Sequence, residues 1–291
     1  MHIAKGTGRA TAFTAAIVVL AGCAAVTKPA ASAGEEGFSF EHIHELVVDE
    51  KDASLIVATH EGLYRLNVGE EGVSDTTGPI GGLDFDPMGF TVADGIAYAS
   101  GHPGRNTPNS FGNPNLGLIA SSDRGESWRN VSLTGQTDFH ALTVSAGVED
   151  TKVFGLDSSR GLLRRSIDAG TTWTDGAALA ARDIASLDNR LYATTAEGLV
   201  VSDDDGTSFS VVAGAPPLYL LATTANGGLA GVDTSGAVWT RETDSAWVVG
   251  GKITGTPAAM AFNGERIFVA DDRGISFTDD KGGTWTVLSP A

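Results

Sequence analysis

All six histidines of this 291-residue chain fall in its first half, and five of them, His42, His44, His60, His102 and His140, lie beyond the N-terminal segment. Carboxylates accompany them: Glu61 follows His60, Asp84 and Asp86 lie between His60 and His102, and Asp138 stands two residues before His140. Imidazoles and carboxylates brought together suit three kinds of chemistry, namely holding a divalent transition metal, general acid/base catalysis and hydrogen bonding to a polar ligand. A metal would draw on His44, His60, His102 and His140, and because it needs neutral rings its affinity would fall below about pH 6. Acid/base work would draw on Asp84, Asp86, Asp138 and His140. A binding face would use His44, His60, His102, His140 and Asp138. In an extended chain His42 and His44 point to the same side, but no pair forms a recognised ligand motif such as H-E-x-x-H.

These residues do chemistry together only if a fold gathers them, and the chain from 38 to 291 reads as a repeat. Two short β-rich runs around a Gly turn are followed by Ser/Thr-x-Asp-x-Gly-x-Ser/Thr-aromatic and a third β-rich run. Clear copies carry Asp123, Gly125 and Trp128; Asp168, Gly170 and Trp173; Asp204, Gly206 and Phe209; and Asp280, Gly282 and Trp285. A decayed copy has Glu242 and Asp244 in the Asp and Gly places, before Trp247. The turn glycines Gly161, Gly198, Gly236 and Gly274 recur at intervals of 37, 38 and 38 residues. Four strands per unit then give six units of roughly 42 residues. Locally, the Asp accepts turn N–H groups, the Gly takes a positive φ, and the aromatic packs between sheets. Asp123, Trp128, Asp168, Trp173, Asp204, Phe209, Asp280 and Trp285 are therefore read as structural. The run Asp203-Asp204-Asp205 lacks the spacing and terminal Glu of a calcium loop and belongs to the same turn.

The motifs resemble Asp-boxes, or BNR repeats, of sialidases, sortilin and photosystem assembly factors. The resemblance implies an all-β fold: a single six-bladed antiparallel β-propeller with Asp-box turns. Inner strands are expected to start near His44, Met88, His140, Ile184, Leu218 and Ala258, and second strands near Leu55, Ile96, Val153, Leu191, Leu229 and Ile267. In that arrangement the starts of inner strands and the ends of second strands share one rim, so all five histidines map to one face of blades 1–3, three or more of the four metal candidates in one concavity. An insertion at 103–115, rich in Pro, Asn and Gly, overlooks the same face and is of a kind that more often carries recognition than stability. Blade 1 has no recognisable motif, and residues 37–41 are candidates for an extra strand that closes the ring.

Sialidase chemistry is not implied. Tyr64-Arg65-Leu66-Asn67 departs from that family's Phe/Tyr-Arg-x-Pro motif, and Arg105, Arg160 and Arg273 belong to no sialidase motif. Ser100-Gly101-His102-Pro103 and Thr137-Asp138-Phe139-His140-Ala141-Leu142 resemble segments of bacterial propeller lipoproteins labelled glycosyl hydrolase by similarity. Two readings follow: a propeller that binds a glycan, polymer or protein partner through the top face of blades 1–3, or a glycoside hydrolase working with carboxylate and histidine groups on that face.

Composition and the N-terminus set the context. Nineteen Lys and Arg face 36 Asp and Glu, a formal net charge of −17, which repels nucleic acid. Residues 1–22 read as an export signal, with Lys5 and Arg9 before an apolar run too short to span a bilayer. Leu20-Ala21-Gly22-Cys23 resembles the bacterial lipobox, which makes Cys23, the single cysteine, the lipidated first residue of the mature chain. Residues 23–37 are then a lipidated cysteine and flexible tether, and the expected product is a monomeric domain held on the cell membrane, facing outside the cytoplasm.

Overall fold

The computed structural model describes residues 39–40, 42–70, 72–147, 150–223, 227–243 and 245–290. The expected export signal, Cys23, the whole of the expected tether and Asp244 lie outside them. The described chain is a six-bladed β-propeller with almost no helix, the exceptions being short 3-10 turns at Ile80–Gly82 and Asn109–Phe111. Each blade is a four-stranded antiparallel sheet whose strands follow one another in chain order. The blades span 43–77, 86–132, 139–175, 181–211, 218–252 and 257–290. Inner strands run Ile43–Val48, Asp86–Ala93, Phe139–Ala146, Ala181–Leu187, Leu218–Thr223 and Pro257–Phe262, each within three residues of its expected start.

Second strands are buried on both faces, which is why they read as unbroken apolar runs rather than alternating ones. In Leu55–Thr59, Leu55 and Val57 pack toward blade 6 while Ile56 and Ala58 pack toward blade 2. Six apolar clusters result, one at every junction between neighbouring blades. The motif aromatic of each blade packs against the preceding one: Trp128 between blades 1 and 2, Trp173 between 2 and 3, Phe209 between 3 and 4, Trp247 between 4 and 5, and Trp285 between 5 and 6.

Blade 1 has no such motif, so the junction of blades 6 and 1 lacks this aromatic. Phe40 takes its place. It lies ahead of the first strand, joins the cluster with Leu55, Val57, Phe268 and Phe277, and meets Tyr64 edge-on with ring centroids 5.2 Å apart. Residues 39 and 40 are not strand, and among the described residues no strand crosses this junction: the ring closes there on side chains, helped by a hydrogen bond from Arg266 of blade 6 to the Gly69 carbonyl of blade 1 at 3.2 Å.

The four clear motifs share one turn geometry. Asp168 Oδ1 accepts the Thr172 N–H at 2.8 Å and its Oδ2 accepts the Thr172 hydroxyl at 2.6 Å, while the Ser166 hydroxyl accepts the Gly170 N–H at 2.9 Å. Asp123, Asp204 and Asp280 repeat the arrangement. Two successive residues turn through positive φ, 55° at Ala169 and 84° at Gly170, the conformation for which glycine is the least costly residue. Hydrogen bonds from the Ser or Thr four residues on hold Asp123, Asp168 and Asp204 at a pKa of about 2.

These groups are depressed below their unfolded value near 3.9, so their contribution to stability is complete above about pH 4 and lost as pH falls through about 2. Thermal melts across that window are expected to show a steep loss of Tm in the wild type and a shallower one in Asp168→Asn. Parallel curves would refute this account of the turns.

Candidate functional site

Every inner strand carries an extra residue, a β-bulge, close to its start. Such bulges re-aim a side chain and twist the strand away from its neighbour. The bulged positions are His44, Met88, His140, Arg182, Tyr219 and Ala258, one for each blade and each different from its neighbours. The position two residues earlier is Asp86 in blade 2 and Asp138 in blade 3, and the ends of the second strands supply His60 and His102.

The histidines gather around two carboxylates. Asp86, the first residue of its inner strand, takes His60 Nδ1 at 2.7 Å on Oδ2 and has His44 Nε2 at 3.0 Å from Oδ1. His44 Nε2 is itself 3.2 Å from His60 Nδ1, and the His42 ring stands 4.9 Å from that of His60. Although burial pushes the Asp86 carboxyl up, the two imidazoles pointing at it win and hold it below the usual carboxylate range. Asp138 is the second centre. Its Oδ2 takes His140 Nε2 at 2.7 Å, His102 Nε2 at 3.3 Å and the Ser158 hydroxyl at 3.3 Å. The hydrogen bond to Asp138 raises the His140 pKa above the ordinary imidazole value. Asp138 is only 7% exposed, and its Oδ1 is buried with no hydrogen-bond partner.

His44 and His140 line one cavity of about 450 Å³ together with Met88, Leu156, Ser158 and Arg182. Two of the four metal candidates thus share the concavity, fewer than the three expected. His60 and His102 stand at the ends of second strands, one strand farther from the axis, and are not among the residues that line the cavity. The third candidate carboxylate, Asp84, does not join either centre: its Oδ1 accepts the Asn106 N–H at 2.8 Å and so pins the 103–115 loop. The loop in turn meets the second centre where His102 Nδ1 lies 3.2 Å from the Pro114 carbonyl. Glu61, beside His60, donates its own N–H to Thr59 Oγ1 at 3.1 Å.

Arg182 is a site residue that sequence reasoning passed over. Its Nη2 donates to the Ala258 carbonyl at 2.9 Å and its Nε to Tyr219 Oη at 3.2 Å, which spreads the guanidinium across the mouth of the channel from blade 4 to blade 6. The signal for it was in the repeat: Arg182 occupies in blade 4 the place of His44 and His140. Below it, Asp183 of blade 4 and Glu45 of blade 1 interact across the ring. Asp183 accepts the Ile184 and Leu221 N–H groups at 2.8 and 2.9 Å, yet burial pushes its pKa up to about 6. Burial, and then the charge of Asp183, push Glu45 well above the usual carboxylate range. Both residues line a wider space of about 800 Å³ that follows the inner strands of all six blades, through Thr91, Thr143, Thr223 and Asn263 among others.

No protein-family model matches the chain, and no curated protein matches it. Solved structures do. A chain of a nidogen/laminin complex is 14% identical, aligned over 81% of this chain and 95% of that one with a TM-score of 0.61. An ancestral GH74 enzyme is 14% identical with a TM-score of 0.51, and PorZ, a surface component of the type-IX secretion system of Porphyromonas gingivalis, is 11% identical with a TM-score of 0.53. In both of these the match takes in 88% of this chain but 39% of the other, so the chain spans about two fifths of their length. At such identities the likeness establishes the propeller fold. Among the described residues, no helix is long and apolar enough to cross a membrane.

Proposed function

We propose that this chain is a lipid-anchored, extracytoplasmic propeller built on Asp-box turns, which binds a glycan through the top face of blades 1–3. Cys23 carries the lipid, residues 24–37 form the tether, and the 103–115 loop flanks the bound ligand. One observation carries the reading: the cavity shared by His44 and His140 has an apolar wall of Met88 and Leu156 beside polar groups from Ser158, His140 and Arg182. Sugars match such a lining, because their rings present C–H faces and hydroxyl edges. Asp138 positions His140 and, by accepting its hydrogen bond, raises its pKa, and Arg182 adds a second donor. Donors on one side and an apolar wall on the other fix the orientation of a sugar ring.

Binding to a panel of immobilised oligosaccharides, measured with wild type and Asp138→Ala, tests this reading. The variant loses the acceptor that holds both His140 and His102, and affinity is expected to fall at least about tenfold, the equivalent of one hydrogen bond to a charged group. Turnover of a bound glycoside that disappears in Asp138→Ala would replace binding by the hydrolase reading. Failure of the wild type to retain any oligosaccharide would defeat both.

A further inference from the structure

We propose that His44, His60 and Asp86 form a three-ligand site for a divalent transition metal, with zinc as the best-matched ion. Among the described residues this is the one group of three or more potential ligands whose donor atoms all lie within 4.8 Å of one another. The sides of the ligand triangle are 3.2 Å between His44 Nε2 and His60 Nδ1, 3.0 Å between His44 Nε2 and Asp86 Oδ1, and 2.7 Å between His60 Nδ1 and Asp86 Oδ2, the last two reaching different oxygens of the one carboxylate. Two ligands each about 2.0–2.1 Å from a tetrahedral zinc stand about 3.3 Å apart, and about 3.0 Å apart around an octahedral ion. The triangle is close to both without rearrangement of the backbone.

If both rings donate, each to its own oxygen of Asp86 at 3.0 and 2.7 Å, the carboxylate is held by two N–H groups; if only one ring donates, the other ring's lone pair faces a carboxylate oxygen, a contact that a cation relieves. Asp86 Oδ1 is moreover buried without a hydrogen-bond donor in line with it, and a buried unpaired carboxylate oxygen is costly. A cation at the centre uses all three sets of lone pairs at once.

The repeat supplies an independent comparison. The three ligands occupy the bulge of blade 1, the end of its second strand and the entry to the next inner strand. The same three positions one blade on hold Met88, His102 and Asp138, and two blades on they hold His140, Ser158 and Ala180. A set chosen for turn geometry or blade packing would recur around the ring. Only blade 1 has two imidazoles and a carboxylate there. Two nitrogens and a carboxylate suit zinc and other first-row divalent ions rather than calcium or magnesium. Three protein ligands also leave a coordination position free for an outside donor. His44 reaches the shared cavity and His60 is 44% exposed, so that position is open to solvent. The site stands whether or not a glycan binds.

The test is metal retention by the full chain, solubilised in detergent, charged with Zn(II) or Co(II) and desalted, with metal content and the visible spectrum of the cobalt form as readouts. One equivalent per chain is expected, with the cobalt absorption intensity reporting four- or five-coordination. His60→Ala and Asp86→Asn are expected to weaken zinc at least about 100-fold, more than loss of an outer-sphere partner costs. His60 lies at a solvent-exposed strand end, so its truncation leaves the blade packing intact, and far-ultraviolet circular dichroism verifies the fold of each variant. Less than a tenth of an equivalent in the wild type would overturn the proposal. So would metal held equally by wild type and a folded His60→Ala, or metal lost on His102→Ala and His140→Ala but kept in His60→Ala.

Discussion

Truncating Phe139 to alanine is expected to destabilise the propeller by about 3–5 kcal/mol, the usual cost of emptying a fully buried aromatic site. Phe139 is completely buried between blades 2 and 3, among Tyr98, Leu118, Leu142 and Val153, with its ring 4.8 Å from that of Trp173. The cavity it leaves has no means of closing. Gly155 lies directly against the ring, where even a Cβ would come within 2.5 Å, so no side chain opposite can swing in. Phe139 also separates Asp138 from His140, and its N–H is held by the Ser100 hydroxyl at 3.0 Å. At about 2–4 °C per kcal/mol for a chain of this size, the melting temperature is expected to drop by more than about 6 °C. Oligosaccharide affinity should fall with it. A shift under about 2 °C would show that the junction repacks, against the close packing described.

Gly101→Ala is expected to cost at least as much, through the backbone. Gly101 has φ of 147°, and a Cβ placed there would lie 1.9 Å from the Asp86 carbonyl oxygen and 2.8 Å from the Met88 nitrogen. Both neighbours are main chain, so relief requires moving the entry of the blade 2 inner strand away from its partner. The unfavourable φ alone accounts for about 1–3 kcal/mol, and the displaced strand entry carries Asp86 with it. Any folded fraction should therefore lose zinc together with stability. A variant that melts within about 2 °C of wild type and retains one equivalent of metal would show that the strand entry yields freely.

Much of the fold was legible because a repeat states its own boundaries. The intervals between Gly161, Gly198, Gly236 and Gly274, and the motifs ending in Trp128, Trp173, Phe209 and Trp285, locate strands that pair with their neighbours in the chain. The site was legible only as a region. That the histidines belong to blades 1–3 follows from strand order, but their division between Asp86 and Asp138 depends on bulges that re-aim one residue in each inner strand, and a bulge leaves no periodic trace. Arg182 was hidden for the same reason. Asp84 has the same chemistry as Asp86 two residues away, yet it holds a loop, because its partner is a backbone N–H at Asn106 that composition does not reveal. Phe40 closes the ring without belonging to any repeat, so no comparison among copies marks it.

The junction of blades 6 and 1 differs from the other five in how it holds. Elsewhere a covalent link passes from blade to blade; here Phe40 and Leu288, from opposite ends of the fold, meet in one apolar cluster. Every sheet is completed by consecutive chain, so none depends on where the polypeptide starts. The start of the ring is thus an accident of the gene. New termini cut between blades 3 and 4, with the old ends joined by a short linker, would leave all six sheets with their own strands. The same property makes this junction the place where the ring can part without any sheet losing a strand. Mechanical load applied through the N-terminal end of the ring would reach it first.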